Sequence, residues 1–225
     1  MKKAVVLASR ILLFLLAFGI AAYALSFFSF KVEDNFLSTK PSILLGSFLY
    51  RLAFYAHVGG GAVALVTGPF QFLPGWRNRR LSLHRTMGKI YLVAILMSSI
   101  SGFSLAFFAN EGVVTGIGFA LLAVSWFTTS LMAYIRIRQK NITLHKEWML
   151  RSFSLTFAAV TLRLWLPLLL AGFRWPFADA YIFVAYMCWI PNLVVMELII
   201  RWPKWRRRVN SPPQSVFSSR DLPAN

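Results

Sequence analysis

Three histidines, His57, His84 and His145, are the residues of this chain best suited to holding a metal. His84 and His145 sit at equivalent places, because each follows a short basic segment and precedes a long apolar stretch. Imidazole is the usual axial ligand of haem iron in helical proteins, and two imidazoles give a low-spin centre suited to electron transfer. The pair therefore predicts a site for one b-type haem, with His84 and His145 as the iron ligands. The alternative is that both are interfacial residues that only anchor the starts of helices.

The stretches that must position these histidines are long and apolar. The chain has 225 residues, of which 58% are hydrophobic and 14% are charged. A helix needs about 20 residues to cross roughly 30 Å of hydrocarbon, and in such apolar runs only a helix satisfies its own backbone groups. The sequence therefore predicts an all-α membrane protein with six transmembrane helices in one bundle. The predicted spans are 11–28, 52–73, 87–108, 113–135, 148–171 and 180–200.

The basic residues, which give a net charge of +17, lie in the connectors between spans. This pattern excludes a nucleic-acid-binding face and predicts a bilayer topology with both termini in the cytoplasm. We expect the bacterial inner membrane. The basic residues of the predicted cytoplasmic side are Lys2, Lys3, Arg10, Arg77, Arg79, Arg80, Arg85, Lys89, Arg136, Arg138, Lys140, Lys146, Arg201, Lys204, Arg206, Arg207 and Arg208. The charged residues of the opposite side are Lys31, Glu33, Asp34, Lys40, Arg51, Glu111, Arg174 and Asp179.

The domain organisation follows from the same pattern. Residues 1–208 form the predicted transmembrane domain, and residues 209–225, rich in Ser and Pro, form a predicted disordered cytoplasmic tail. Pro69, Pro167 and Pro191 predict kinks or helix ends. The basic start, the apolar core and the segment 22–24 also loosely match a signal peptide, whose cleavage would leave five spans.

Helical spacing places small and polar residues on common faces. In the third span, Gly88 lies one turn beyond His84 and leaves room beside the imidazole for a porphyrin edge or for a neighbouring helix. In the second span, small residues on the face of His57 admit either a flat cofactor or another helix. That second face consists of His57, Gly61, Ala64, Gly68 and Gln71.

The fifth span predicts two separate polar levels. His145 and Arg163 share one helical face, but a separation of 18 residues puts them about 27 Å apart along the axis. The outer level contains His57 and Arg163. An arginine in hydrocarbon normally faces the bundle interior, although its side chain can also reach toward the interface. The cytoplasmic level contains His84, Gly88, His145, Arg151, Asn192 and Glu197.

Each level has a predicted ligand. Arg151 or Arg85 neutralises the haem propionates, and the outer level holds a quinone, a lipid head group or another small-molecule ligand. Three histidines at two levels do not form a zinc site. The single cysteine, Cys188, excludes a covalent haem attachment motif, so the haem is expected to be non-covalent haem b.

Several motifs resemble those of a bacterial family of predicted membrane proteins known as domain of unknown function 2306. The resemblance runs from the second span to the sixth and implies a membrane protein without implying an activity. The motifs are HVGG at 57–60, LVTGPFQF at 65–72, HRTMGK at 84–89, HKEWMLRSF at 145–153, TLRL at 161–164 and WIPN at 189–192.

A remoter likeness is to the six-helix, two-haem cytochrome b family that carries electrons from ascorbate across membranes. In that family, histidines on helices two and four hold the outer haem, and histidines on helices three and five hold the cytoplasmic haem. His57, His84 and His145 match helices two, three and five, whereas the fourth span has no histidine. The likeness therefore implies at most one haem, on the cytoplasmic side.

Two function hypotheses follow. The leading one is a membrane electron-transfer protein or oxidoreductase with one haem b between His84 and His145. The competing one is a non-redox membrane protein, either a transporter of a small anion attracted by Arg163 or a structural bundle with incidental histidines.

Overall fold

A computed structural model of the chain describes the backbone of residues 2–29 and 36–210 and the side chains of residues 4–29 and 37–202. Every regular element in these ranges is helical, which confirms the predicted all-α class. The predicted tail lies outside the described residues, except that its first two residues belong to the last helix. The α-helices are α1 Lys2–Leu25, α2 Ser42–Gly46, α3 Phe48–Thr67, α4 Pro74–Arg79, α5 Leu81–Ala106, α6 Val113–Arg138, α7 Ile142–Thr156, α8 Ala158–Pro167, α9 Phe177–Met187 and α10 Ile190–Asn210.

Within the described ranges, six helical stretches are long and apolar enough to span a membrane, as the sequence predicts. They are α1, α3, α5, α6, the pair α7 and α8, and the pair α9 and α10. Large apolar side chains such as Ile90, Val93 and Leu131 stay exposed on the outer faces, as expected for surfaces that contact lipid. Because the number of spans is even, α1 begins and α10 ends at the same end of the bundle. We call this the terminal end and the opposite one the far end.

The helices that carry two of the histidines begin earlier than the apolar stretches do. The helix α5 starts at Leu81, and α7 starts at Ile142, so His84 and His145 lie in first turns rather than in connectors. The Asn141 side chain accepts a hydrogen bond from the Leu144 backbone N–H at 3.0 Å, and this N-cap explains the early start of α7. The backbone of both histidines is therefore helical.

The helix α3 packs against α5, α5 against α6, and α6 against α7, while α1 covers α3 and α8. The approach of α3 to α5 depends on Gly60, because a Cβ there would lie 2.7 Å from the Ala94 carbonyl oxygen. On α1, Ala17 and Ala21 are buried together with Leu65 of α3 and Val160 of α8. The first span, which loosely matches a signal peptide, is thus packed as part of the bundle.

The predicted proline breaks are present, and a fourth break has no proline. A 3₁₀ turn begins at Pro69, α8 ends at Pro167, and α10 begins one residue before Pro191. The fifth span is also interrupted at Phe157. Just before this break the Thr156 hydroxyl donates to the Ser152 carbonyl at 3.0 Å, and hydroxyls bonded to the preceding turn bend helices.

A buried cluster of hydroxyl groups joins α5, α6 and α7 at the middle of the bundle. Tyr91 Oη lies 2.9 Å from Ser152 Oγ and 3.0 Å from Thr156 Oγ1. Ser130 Oγ lies 2.8 Å from Ser152 Oγ, and the Trp126 indole N–H donates to Thr156 Oγ1 at 2.9 Å. We call Tyr91, Trp126, Ser130, Ser152 and Thr156 the central cluster. It divides the interior into a far half and a terminal half.

Candidate functional site

A cavity of about 390 Å³ occupies the far half of the bundle. Its floor includes Trp126 and Thr156 of the central cluster, and most of its wall is aliphatic or aromatic. Both interrupted spans open onto it, since Thr156 and Ala158 flank the break at Phe157 and Cys188 lies in the break between α9 and α10. Its other polar lining residues are Tyr23, Lys40, Tyr50, His57, Ser98, Arg163 and Tyr181.

Arg163 lines this cavity from α8 with little to balance its charge. One guanidinium nitrogen donates to the Ala159 carbonyl at 2.9 Å, and the guanidinium carbon lies 5.2 Å from the centre of the Tyr23 ring. Ala159 is one turn nearer the middle of the bundle, so the side chain does not extend toward the far interface. Among the side chains that the structure describes, no carboxylate pairs with Arg163. Glu33 and Asp34 are outside the described residues.

His57 lines the same cavity from α3, within electrostatic range of Arg163. Its Nδ1 lies 2.8 Å from the Ser98 carbonyl oxygen, and the Ser98 hydroxyl donates to the His57 carbonyl at 2.7 Å. A carbonyl only accepts, so the proton of a neutral ring is on Nδ1 and Nε2 is left as an acceptor. Gly102 is required beside the ring, because a Cβ there would lie 2.7 Å from Nδ1. The structure thus brings together the two residues of the predicted outer level.

The sequence did not indicate two further lining residues, Tyr23 and Lys40. Tyr23 belongs to the segment that loosely matches a signal peptide, and Lys40 is one of several charged residues in the connectors. The one available signal for Lys40 was its position, because it is a cation on the side of the membrane that the sequence predicts to be poor in basic residues.

The histidine pair lies in the terminal half, where the two imidazoles are within electrostatic range of each other. His145 Nδ1 lies 2.8 Å from the Ala133 carbonyl oxygen, which leaves Nε2 as the acceptor. The buried atoms His84 Nδ1 and Gln71 Nε2 have no hydrogen-bond partner among the described residues. The space beside Gly88 is taken by Gln71, whose Oε1 would be 3.4 Å from a Cβ at that glycine. The room predicted beside His84 is therefore used by a neighbouring element.

Arg151, which the sequence assigns to the haem propionates, already has a carboxylate partner. It forms an ion pair with Glu197 and stacks over the Trp148 ring at 4.6 Å, and Arg201 donates to the same carboxylate at 2.9 Å. The Asn192 amide donates to the Ser154 carbonyl at 3.3 Å, to Thr161 Oγ1 at 3.0 Å and to the Cys188 carbonyl at 2.9 Å. It therefore lies between α7, on which Arg151 lies, and the two helix breaks.

The terminal half contains suitable ligands for a haem, but its packing leaves no room for one unless side chains rearrange. His145 has the tautomer of an axial ligand, and the bare Nδ1 of His84 lacks a partner. The Gln71 amide, however, fills the space that a porphyrin edge would need beside Gly88. Within the described residues no three His, Cys, Asp or Glu side chains cluster as a multi-ligand metal site requires.

These features define a class of protein: a polytopic helical membrane protein with a largely apolar chamber that contains an arginine inside its bundle. The chain belongs to the predicted membrane protein family DUF2306, whose family model matches residues 54–200. That match spans His57, the histidine pair and Arg163, and it confirms the resemblance seen in the motifs. No curated protein and no solved structure matches the chain.

Proposed function

We propose that this protein is a transporter that binds a small organic anion in the cavity of the far half, with Arg163 as the counter-ion. The observation that supports this most strongly is the position of Arg163. An arginine within hydrocarbon costs a few kcal/mol on insertion scales and normally has a partner. Here the guanidinium faces a cavity, and among the described residues it contacts one carbonyl and one aromatic ring. A bound anion supplies the missing charge.

The lining of the cavity supports an anion with an apolar body. Phe27, Phe54, Phe119, Leu122 and Leu162 are among the groups that would contact that body. The Nε2 acceptor of His57 suits a second polar group on the ligand, such as a hydroxyl. A quinone also has an apolar body and polar oxygens, but it is neutral and does not balance the charge of Arg163.

The helix breaks support transport rather than passive binding. In many transporters, ligands bind near the bilayer midplane where spans are interrupted, because irregular backbone is tolerated there only beside a cavity. The breaks at Phe157 and at Cys188 both border this cavity. The Asn192 amide donates to the Cys188 carbonyl and to Thr161 Oγ1, and so connects the two breaks.

The test uses two probes of one shape, naphthalene-2-sulfonate and the neutral naphthalene-2-sulfonamide. Binding to the purified protein is followed by quenching of tryptophan fluorescence, since Trp126 lines the cavity. A charge-assisted contact of about 1.5–3 kcal/mol predicts roughly 10- to 100-fold tighter binding of the sulfonate. Arg163→Gln should abolish this preference, whereas Arg51→Gln, an exposed arginine at the same end, should retain it. Equal binding of both probes to the wild type would contradict the proposal.

Transport itself is measured with the sulfonate, because a permanently charged probe does not cross the bilayer unaided. Proteoliposomes should take it up faster than empty liposomes, and Arg163→Gln should bring uptake to the empty level. Tight binding without uptake would make the protein a receptor rather than a transporter.

A second candidate function, electron transfer through one haem b, is favoured by the state of the histidine pair. His145 presents Nε2 with its tautomer fixed, and the unpartnered Nδ1 of His84 lies at the same level. Haem held by His84 and His145 would supply one-electron chemistry there. After haem-supplemented expression, reduced spectra should show sharp α bands in the wild type and in His57→Ala but not in His84→Ala or His145→Ala. A folded, colourless wild type would exclude this function.

The proposed setting is the bacterial inner membrane with both termini in the cytoplasm. The support is the excess of Lys and Arg in the connectors of the terminal end. Green fluorescent protein fused after Asn225 should fluoresce, and alkaline phosphatase fused there should be inactive. The opposite pair of results would invert the topology.

A further inference from the structure

His57 and Arg163 line the same cavity from two different helices, α3 and α8. All three histidines of the chain are among the described residues, and His57 is the one that lines this cavity. The imidazole and the guanidinium are within electrostatic range of each other. A change of charge on His57 therefore acts on whatever binds at Arg163.

The geometry of the His57 ring determines which nitrogen can gain a proton. Ser98 Oγ lies 3.3 Å from Nδ1, but the Ser98 hydroxyl donates to the His57 carbonyl at 2.7 Å. Nδ1 therefore carries the hydrogen of the neutral ring and donates it to the Ser98 carbonyl at 2.8 Å. A second proton binds at Nε2, and the Ser98 carbonyl then stabilises the imidazolium. Protonated Nε2 becomes a donor to a ligand in the cavity.

Electrostatics couple this proton to an anion at Arg163. In the empty cavity, an imidazolium would share a largely apolar chamber with a guanidinium, and like charges repel. A bound anion balances the guanidinium and offers Nε2–H a charge-assisted hydrogen bond. The anion thus favours the protonated ring. By thermodynamic linkage, protonation of His57 strengthens anion binding by the same factor.

The other titratable groups around the cavity belong to side-chain types that titrate elsewhere. Imidazole ordinarily changes charge between about pH 5 and 8, whereas tyrosine, cysteine, lysine and arginine do so above about pH 8 and carboxylates below about pH 5. Glu111 lines the adjoining depression at the far end, and Glu33 and Asp34 are outside the described residues. The titratable and charged groups that line the cavity with His57 are Tyr23 of α1, Lys40 of the first connector, Tyr50 of α3, Arg163 of α8, Tyr181 of α9 and Cys188 at the break after α9.

We propose that the protein is a proton–anion cotransporter in which Nε2 of His57 carries one proton for each anion bound at Arg163. This inference rests on the proposed transport of an anion and adds the ion that crosses with it. The proton comes from the water on one side and is released to the water on the other. A monovalent anion and one proton together carry no net charge, so the coupled step is electroneutral. The competing arrangement is transport of the anion alone, with His57 as a neutral acceptor.

The first experiment measures binding as a function of pH. Naphthalene-2-sulfonate keeps its charge throughout, so any pH dependence belongs to the protein. Between about pH 7.5 and about pH 5.5, its Kd for the wild type should fall about ten-fold. The neutral naphthalene-2-sulfonamide should show no such gain. His57→Gln retains an amide donor for the Ser98 carbonyl but binds no proton, so its Kd for the sulfonate should stay constant. Its continued preference for the sulfonate would show that the cavity around Arg163 is intact.

The second experiment measures uptake into proteoliposomes whose membrane potential is held at zero. With acid outside, the wild type should accumulate the sulfonate up to about ten-fold for each unit of the pH gradient, as one-to-one coupling requires. A protonophore should abolish this accumulation. His57→Gln should only equilibrate the sulfonate. Arg51→Gln, an exposed arginine at the same end, should accumulate it as the wild type does.

The outcomes separate the coupling from the binding site. A Kd that does not change with pH, together with a sulfonate preference that Arg163→Gln abolishes, would refute the coupling and leave the proposed function intact. A pH dependence that persists in His57→Gln would assign the proton to another group and refute the role of His57. Uptake that ignores the pH gradient would also refute cotransport. If the wild type does not bind the sulfonate at all, the proposed function fails and the coupling fails with it.

Discussion

The two halves of the bundle each contain an arginine within a span, and they treat it in opposite ways. In the terminal half, Arg151 pairs with Glu197 and stacks on Trp148. In the far half, Arg163 faces a cavity, and among the described residues it contacts one carbonyl and one tyrosine ring. An arginine whose charge is already balanced holds structure together, whereas an unbalanced one favours the arrival of an anion.

The histidines, by contrast, are held alike in both halves. His57 and His145 each direct Nδ1 to a carbonyl on a neighbouring helix, at 2.8 Å in both cases. Each ring therefore has a fixed tautomer with Nε2 available. Their surroundings differ, because His57 lines an open chamber, whereas the space beside Gly88, one turn after His84, is filled by Gln71. The surroundings, rather than the imidazoles, therefore distinguish the two sites.

The largest expected loss of stability comes from disturbing the close contact between α3 and α5. Gly60→Ala would place a Cβ 2.7 Å from the Ala94 carbonyl oxygen and 2.9 Å from Ser98 Cβ. Backbone cannot yield as a flexible side chain does, so α3 and α5 must separate. We expect a loss of about 3 kcal/mol, measured as a lower Tm in detergent. Gly75→Ala, with no atom within 4 Å, is the control. An unchanged Tm for Gly60→Ala would show that α3 and α5 are not so closely packed.

The second effect tests whether the central cluster joins the two halves. Tyr91→Phe removes a buried hydroxyl that bonds both Ser152 and Thr156. Ser152 and Thr156 keep their other partners, so the loss of these two hydrogen bonds should cost about 1.5 kcal/mol of unfolding free energy. Tyr186→Phe removes a hydroxyl that bonds only the exposed Val114 carbonyl, and it should cost less. Equal losses of unfolding free energy in the two variants would mean that the central cluster stabilises the protein no more than one exposed hydrogen bond does.

The third effect is a change in stability with opposite signs in the two halves. It tests whether the charge of Arg151 is balanced while that of Arg163 is not. Glu197→Gln leaves Arg151 without a carboxylate and should destabilise the protein by about 1 kcal/mol, because the pair is partly exposed. Arg163→Leu removes an unbalanced charge and should stabilise the ligand-free protein by about the same amount. Both are measured as Tm in detergent, with the exposed Arg51→Gln as the control. A destabilised Arg163→Leu would indicate that the described residues alone satisfy this arginine.

The sequence predicts the architecture well because span length and apolar composition are local properties. It also places His57 and Arg163 at one level, because helical rise is constant. It does not reveal the break at Phe157, because the same hydroxyl bonds to the preceding turn occur at Thr128 and Thr129 inside the uninterrupted helix α6. It gives Lys40 no role, because a connector residue reaches a cavity only through the fold of two connectors. The filling of the space beside Gly88 by Gln71 is likewise a contact between separate elements.

The smallest expected change in stability is that of Gly88→Ala, and this variant also tests whether the terminal half holds a haem. An added Cβ would lie 3.4 Å from Gln71 Oε1, the end of a flexible side chain, so little has to move. Alanine also favours a helix over glycine by roughly 0.5–1 kcal/mol. Gly88→Ala should therefore leave the Tm unchanged or slightly raised, in contrast to Gly60→Ala. If haem binds between His84 and His145 with an edge against Gly88, the same substitution should weaken the haem spectrum while the Tm of the apoprotein is maintained. An unaltered spectrum in a haem-loaded protein would place the porphyrin elsewhere, and a large fall in Tm would show that Gln71 cannot yield.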